Sequence, residues 1–164
     1  MTSKIDVRMI LTDHFDTFRD EATGKVSYPD YILMVGVPAL AALILLLLGV
    51  QIGDRVVGTL VSVFAIFAGL LFNVQVLMYS FSDDESTKNK SIRDRLLHQS
   101  FANISYAIVV SLLVVFLLTA ILFVDGIPQR IVDTLIVFFA TNFFLSLLMV
   151  LKRMHVLLRA KFGG

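Results

Sequence analysis

The sequence contains no cysteine and few charged residues. The absence of cysteine excludes disulfide bonds, thiolate metal sites and cysteine nucleophiles. Charged residues make up 16% of the 164 residues, whereas 57% are hydrophobic, and the mean hydropathy is +0.86. Soluble domains carry about 25% charged residues. The composition therefore predicts a membrane protein.

Long runs without charge set the number of membrane spans. Three runs, 31–53, 56–82 and 96–124, contain no Asp, Glu, Lys or Arg, and a fourth, 131–151, contains only Asp133. A helix needs about 20 apolar residues to cross the hydrocarbon core. The first run is too long for the apolar part of a signal peptide, so we expect it to be retained. The sequence predicts an all-α polytopic membrane protein with two antiparallel hairpins, its four helices at about 31–51, 56–80, 103–124 and 131–151.

The distribution of basic residues predicts the topology. Of the 14 Lys and Arg residues, all but Arg55 and Arg130 lie before span one, between spans two and three, or after span four. The positive-inside rule then places both termini and the middle loop in the cytoplasm. Tyrosine favours membrane interfaces, and all four tyrosines fall at the predicted cytoplasmic ends of spans: Tyr28, Tyr31, Tyr79 and Tyr106. We expect a multi-pass protein of the cell inner membrane.

The predicted four-helix domain 31–151 includes one cytoplasmic arm, 82–102, and is flanked by two cytoplasmic segments, 1–30 and 152–164. Segment 1–30 contains an amphipathic helix, expected at 4–20, whose acidic polar side favours docking on protein over docking on anionic lipid. The arm 82–102 begins with acidic residues and is expected to restart as a helix at Ser91, and this helix and the tail 152–164 are expected to be basic helical extensions. Their candidate contacts with a partner or with lipid are Arg93, Arg95, Lys152, Arg153, Arg159 and Lys161.

The sequence shows no set of residues that would support catalysis. The histidines His14, His98 and His155 are scattered outside the spans, and the acids beside His14 are more typical of a solvated helix face than of a metal site. A phosphate-binding glycine loop, a serine elbow and an HExxH motif are missing. Asp133 is interpreted as a cap at the outer interface. We expect no enzymatic activity, cofactor, metal, coupled transport or direct nucleic-acid binding.

Small residues follow one face of the second predicted span. Gly58, Ser62, Ala65 and Gly69 are spaced by four, three and four residues, and Asn73 comes next. Such a row lets two backbones approach closely, which predicts helix packing or an oligomer contact. We expect it to face span one, with Asn73 either bonding a neighbouring helix or lining a pore.

Amide side chains lie at two predicted depths. Gln75 and Asn103 lie with Asn73 near the predicted cytoplasmic edge, where they would form a polar collar. Gln75 is expected to meet lipid headgroups or a neighbouring subunit. Asn142 lies near mid-depth, where it is either a hydrogen-bonding contact between helices or a polar constriction in an oligomer.

Four spans with short outer loops are too few to enclose a pathway, so activity is expected through oligomerisation or through a partner. One hypothesis is a homo-oligomeric platform that binds a cytosolic protein. The second is an oligomeric pore or membrane-perturbing effector, and the third is a lipid-binding protein that uses the basic tail.

The layout combines a polar N-terminal helix, "VRMILTDHFDTF", two tight hairpins, and a charged arm, "IRDRLLHQSF". In this respect it resembles the small four-helix membrane subunits and effectors of bacterial anti-phage defence systems. The resemblance covers most of the chain as architecture, contains no specific motif and transfers no functional residue. It implies a role in membrane-linked antiviral defence beside a soluble partner.

Overall fold

The computed structural model describes residues 6–18, 28–81 and 90–162, and these ranges are almost entirely helical. Span one is continuous through two α-helical segments with a π-helical turn, Ile32–Gly36, between them. A 3-10 turn, Ile121–Phe123, follows the fifth helix. The α-helices are α1 (Arg8–Asp16), α2 (Tyr28–Tyr31), α3 (Val37–Leu48), α4 (Asp54–Phe81), α5 (Lys90–Ala120) and α6 (Ile127–Phe162).

Four helices among the described residues are long and apolar enough to cross a membrane, which confirms the predicted number of spans. Span three begins at Leu96, earlier than the predicted 103, because its polar first turns are continuous with the apolar run. We call the end that carries the connections 49–53 and 124–126 the loop end, and the opposite end the α1 end. The spans are Tyr28–Leu48, Asp54–Tyr79, Leu96–Phe123 and Ile127–Val156.

Helix α5 is the centre of the bundle, because it packs extensively on both α4 and α6. Span one packs on α6 and makes no extensive contact with α4, its neighbour in sequence. The described spans one and two therefore do not form the packed hairpin that the short connection suggested. Helix α4 reaches α6 through aromatic rings, with the centroids of Phe64 and Phe143 5.2 Å apart.

The core of the bundle follows a seven-residue period. Buried side chains recur at this spacing on α4, and the same spacing relates Ile136, Phe143 and Val150 on α6. Heptad spacing is typical of helices that cross at about 20°, as most membrane bundles do. The buried row of α4 consists of Val57, Phe64, Leu71 and Met78.

The small-residue row of α4 faces outward, so the prediction that it packs on span one is wrong. Gly58, Ser62, Ala65, Gly69 and Asn73 are all exposed. A Cβ atom added at either glycine would meet no atom within 4 Å. The buried row lies on a neighbouring face of the same helix, with Val57 next to Gly58 and Phe64 next to Ala65, and its bulky side chains fill the interface with α5 and α6.

Asp133 fastens the connection between spans one and two to the start of α6. Its side chain is 1% exposed, and Oδ1 accepts a hydrogen bond of 3.2 Å from the Ile52 main-chain N–H. Gly49 ends α3 with φ +63°, a left-handed conformation that glycine adopts without strain, and so starts this connection. Asp133 therefore holds the connection 49–53 in place. This role differs from the predicted one, a cap at the outer interface.

Candidate functional site

Helix α1 docks against α5 at the α1 end of the bundle. His14 and Phe18 are each 1% exposed there, so the interpretation of the His14 segment as a solvated face is wrong. The described helix is also shorter than the predicted 4–20. It starts after Asp6, whose Oδ1 accepts from the Arg8 N–H at 3.0 Å, and it ends where Thr17 Oγ1 donates to the His14 carbonyl at 2.7 Å.

Two residues of α5, one turn apart, hold the His14 ring. Nδ1 lies 2.7 Å from Asn103 Oδ1, and because an amide oxygen is only an acceptor, Nδ1 carries the proton. The imidazole stacks on the Tyr106 ring at 3.6 Å with an interplanar angle of 4°. The Phe18 ring packs edge-to-face with the imidazole, and the two ring centroids are 4.9 Å apart. The ring is thus enclosed by groups that suit its neutral form.

Burial lowers the pKa of His14 from its ordinary 6.5 to about 4. The hydrogen bond to Asn103 opposes this shift, and the positive charge of Arg153 adds to it. His14 is therefore neutral at physiological pH. The charge of the docked helix does not depend on small changes of pH around 7.

The hydroxyl of Tyr106 continues the polar contacts into the bundle. It donates to Asn142 Oδ1 at 2.7 Å, and Asn142 Nδ2 donates to the Met34 carbonyl at 2.8 Å. In an α-helix the Met34 carbonyl would accept from residue 38, but Pro38 has no N–H. Asn142 supplies the missing donor and joins spans one, three and four.

Arg153 joins α1, α5 and α6 at the edge of this site. Its guanidinium donates to the Gln99 carbonyl at 3.1 Å and to the Thr17 carbonyl at 3.3 Å. Thr17 is the residue at the C-terminal end of α1, where carbonyls need partners from outside the helix, whereas Gln99 lies within α5. One side chain of α6 therefore joins the end of α1 to α5.

We call Ser100, Asn103, Tyr106 and Asn142, with the Met34 carbonyl, the polar seam. Ser100 and Asn103 are 0% exposed, and Ser100 Oγ and Asn103 Nδ2 have no hydrogen-bond partner among the described residues. The seam runs from beside α1 toward the middle of the bundle. In the described ranges no three His, Cys, Asp or Glu residues come close enough to hold a metal.

The other predicted site residues lie elsewhere. Gln75 is half-buried and donates to Ser105 of α5 at 3.2 Å, so it meets a neighbouring helix of the same chain. Asn103 lies under α1 and is not part of an open collar. Lys152 and Arg159 are exposed on α6. The side chains of Arg93, Arg95 and Lys161 lie outside the described part of the chain.

Tyr106 and His14 are the residues that sequence reasoning missed. Tyr106 was interpreted as an interfacial anchor, but it is 6% exposed and its hydroxyl bonds inside the bundle. The sequence contains a usable signal, because Asn103 and Tyr106 are spaced by three residues and so share one face of α5. His14 and Phe18 are spaced by four residues.

No known protein family, curated protein or solved structure matches this chain.

Proposed function

We propose that this chain is a non-enzymatic, homo-oligomeric protein of the cell inner membrane whose cytoplasmic end is a platform for a cytosolic partner. The observation that carries the proposal is the difference between the two ends of the bundle. Among the residues that the structure describes, the loop end has only the short connections 49–53 and 124–126. At the α1 end, α1, the first turns of α5 and the tail of α6 are joined by Arg153.

The tail of α6 supplies a surface for an acidic protein. Lys152, His155 and Arg159 are exposed and spaced by three and four residues, so they share one helix face. No Asp or Glu occurs in 152–164 to neutralise them. Such a face attracts a partner of opposite charge and orients it. Membrane-linked antiviral defence, the setting that the resemblance implies, is part of this proposal.

The exposed row of α4 is the proposed contact between copies of the chain. Two α4 helices can approach each other closely without a steric clash, because the row has no side chain larger than Asn73. An amide on a membrane helix gains a hydrogen bond when a second copy offers its own amide. Within each copy, Asn142 uses both ends of its amide in bonds between spans, which favours a packing role over a pore lining.

The topology is tested by single cysteines in a chain that has none of its own. We expect Arg159→Cys to be labelled by an impermeant thiol reagent only after the membrane is opened, and Asp54→Cys to be labelled in intact spheroplasts. Both positions are exposed, so differences in burial do not affect the comparison. Labelling of Arg159→Cys from the outside of intact spheroplasts would disprove the cytoplasmic placement of the tail.

The partner surface is tested by capture from a cytosolic extract with protein in mild detergent. Replacing both Lys152 and Arg159 by Gln should lower capture of an acidic partner severalfold, since each rim charge contributes about 0.2–1 kcal/mol. The matched control replaces Arg55 and Arg130, the two exposed arginines at the loop end, by Gln. Equal loss in both variants, or capture that does not weaken as salt is raised, would count against the platform.

A further inference from the structure

Helix α1 is held by a small set of contacts, which include the half-buried side chains Ile10 and Leu11 against the core. Within the described segment 6–18, only His14 and Phe18 are fully buried, whereas Val7, Met9 and Phe15 are 40%, 72% and 43% exposed. A helix of nine residues is marginal by itself in water. Docking and helix formation of α1 are therefore coupled, and α1 belongs to the low-stability part of the chain.

The surface under α1 combines the apolar contacts of Ile10 and Leu11 with several polar groups, and the polar groups lower the cost of exposing it to water. Asn103, the Gln99 carbonyl and the Arg153 guanidinium all lie at this surface. When α1 leaves, each of these groups exchanges a protein hydrogen bond for a bond to water, so the net loss per bond is small. An apolar surface of the same size would strongly disfavour exposure.

The bundle does not need α1 in order to stay closed. The bonds from Tyr106 to Asn142 and from Asn142 to Met34 lie among spans one, three and four, and none involves α1. Tyr106 meets α1 through the face of its ring and meets the bundle through its hydroxyl. The two sets of contacts are thus separable.

We propose that α1 is a latch that undocks and docks as one unit while the four-helix bundle stays folded. Undocking removes the Thr17 carbonyl from Arg153 and uncovers the outer end of the polar seam at Asn103. Arg153 then becomes accessible next to the exposed basic face of α6. The latch is a property of the chain alone, so it stands or falls independently of the proposed partner.

The latch is tested by distances between two spin labels in the full-length protein in liposomes. Thr12→Cys on α1 and His155→Cys on α6 place the labels at exposed positions on the two sides of the contact. We expect a main population at short distance and a minor one at longer distance. Arg153→Met removes two donors to main-chain carbonyls and should raise the ratio of undocked to docked protein about tenfold.

The matched control is Lys152→Met, which removes a charge one residue away, where the side chain is exposed, and should leave the two populations unchanged. A second variant, Phe18→Ala, reduces apolar burial without altering Arg153 and should shift the populations in the same direction. A label pair at Asp54 and Arg130 reports whether the loop end stays folded. The latch is disproved if both variants keep one short distance, or if the loop-end distance changes together with the α1 distance.

Discussion

Replacing Asn142 by Leu is expected to lower the free energy of unfolding by about 2 kcal/mol. The substitution leaves the Tyr106 hydroxyl without its acceptor and the Met34 carbonyl without its donor, in the buried middle of the bundle. Single hydrogen bonds between membrane helices contribute about 0.6–2 kcal/mol, and two are lost here. The measurement is the unfolding midpoint in a denaturing-detergent titration.

Asn142→Leu leaves the Tyr106 hydroxyl and the Met34 carbonyl without partners, and a second substitution can compensate for each of them separately. The contribution of each hydrogen bond can therefore be tested. Tyr106→Phe removes the orphaned hydroxyl, and Pro38→Ala restores a main-chain N–H in reach of the Met34 carbonyl. We expect each change to recover part of the stability lost in Asn142→Leu and to destabilise the chain that retains Asn142. Absence of recovery in both combinations would show that Asn142 acts through packing volume and not through these bonds.

Asn73→Leu is the matched control, because it makes the same substitution at an exposed amide of α4. Its stability as a single chain should be unchanged within about 0.5 kcal/mol. If the exposed row of α4 joins copies of the chain, the same variant should form smaller oligomers, measured by light scattering of the detergent complex. An unchanged oligomer size would argue against α4 as the contact.

Acid should release α1 from the bundle. Because burial lowers the pKa of His14 to about 4 from 6.5, the docked state favours the neutral ring and the undocked state binds the proton more readily. Docking is therefore fully stable above pH 6.5 and weakens as the pH falls toward 4. Between pH 7.5 and 4.5 the docking constant should fall by about two orders of magnitude.

The groups around His14 also favour the undocking of α1 at low pH. Arg153 of α6 is positive throughout the range, and Tyr106 of α5 is neutral and stacked on the ring. Asp13 and Asp16 are the nearby acids in sequence on the same helix. The Arg153 charge and the neutral Tyr106 ring provide no counter-charge for a protonated His14.

The spin-label distance from Thr12→Cys to His155→Cys measures this release as a function of pH. His14→Gln is the control, because an amide can still bond Asn103 but does not titrate. The control should show little change between pH 7.5 and 4.5. A control that undocks as strongly as the parent would assign the effect to carboxylates and not to His14.

The number of spans could be predicted from sequence because it depends on local composition alone. The long charge-free runs fix where a helix must be buried in lipid, whatever it packs against. The packing of α4 could not be predicted in the same way. The row from Val57 to Met78 and the row from Gly58 to Asn73 both follow helical periods, so spacing alone does not choose between them.

The site around His14 could not be predicted from its own surroundings. A histidine between two aspartates is usually solvated, and the residues that enclose it, Asn103 and Tyr106, are distant in sequence. The amides were correctly noticed as unusual in apolar helices. Their partners, however, depend on which spans meet, and spans one and four meet although the sequence suggested one and two.

The π-helical turn at Ile32–Gly36 makes span one sensitive to insertion and deletion. A π turn holds more residues than the α-helical turn it replaces, so deleting one residue there would let the segment become regular α-helix. Residues before the deletion would then rotate by about 100° relative to α3 and move by about 1.5 Å along the axis. Tyr31, whose ring lies 6.4 Å from that of Phe15, would turn away from α1. Among homologous chains, the number of residues between Tyr31 and Pro38 should therefore vary less than their identities.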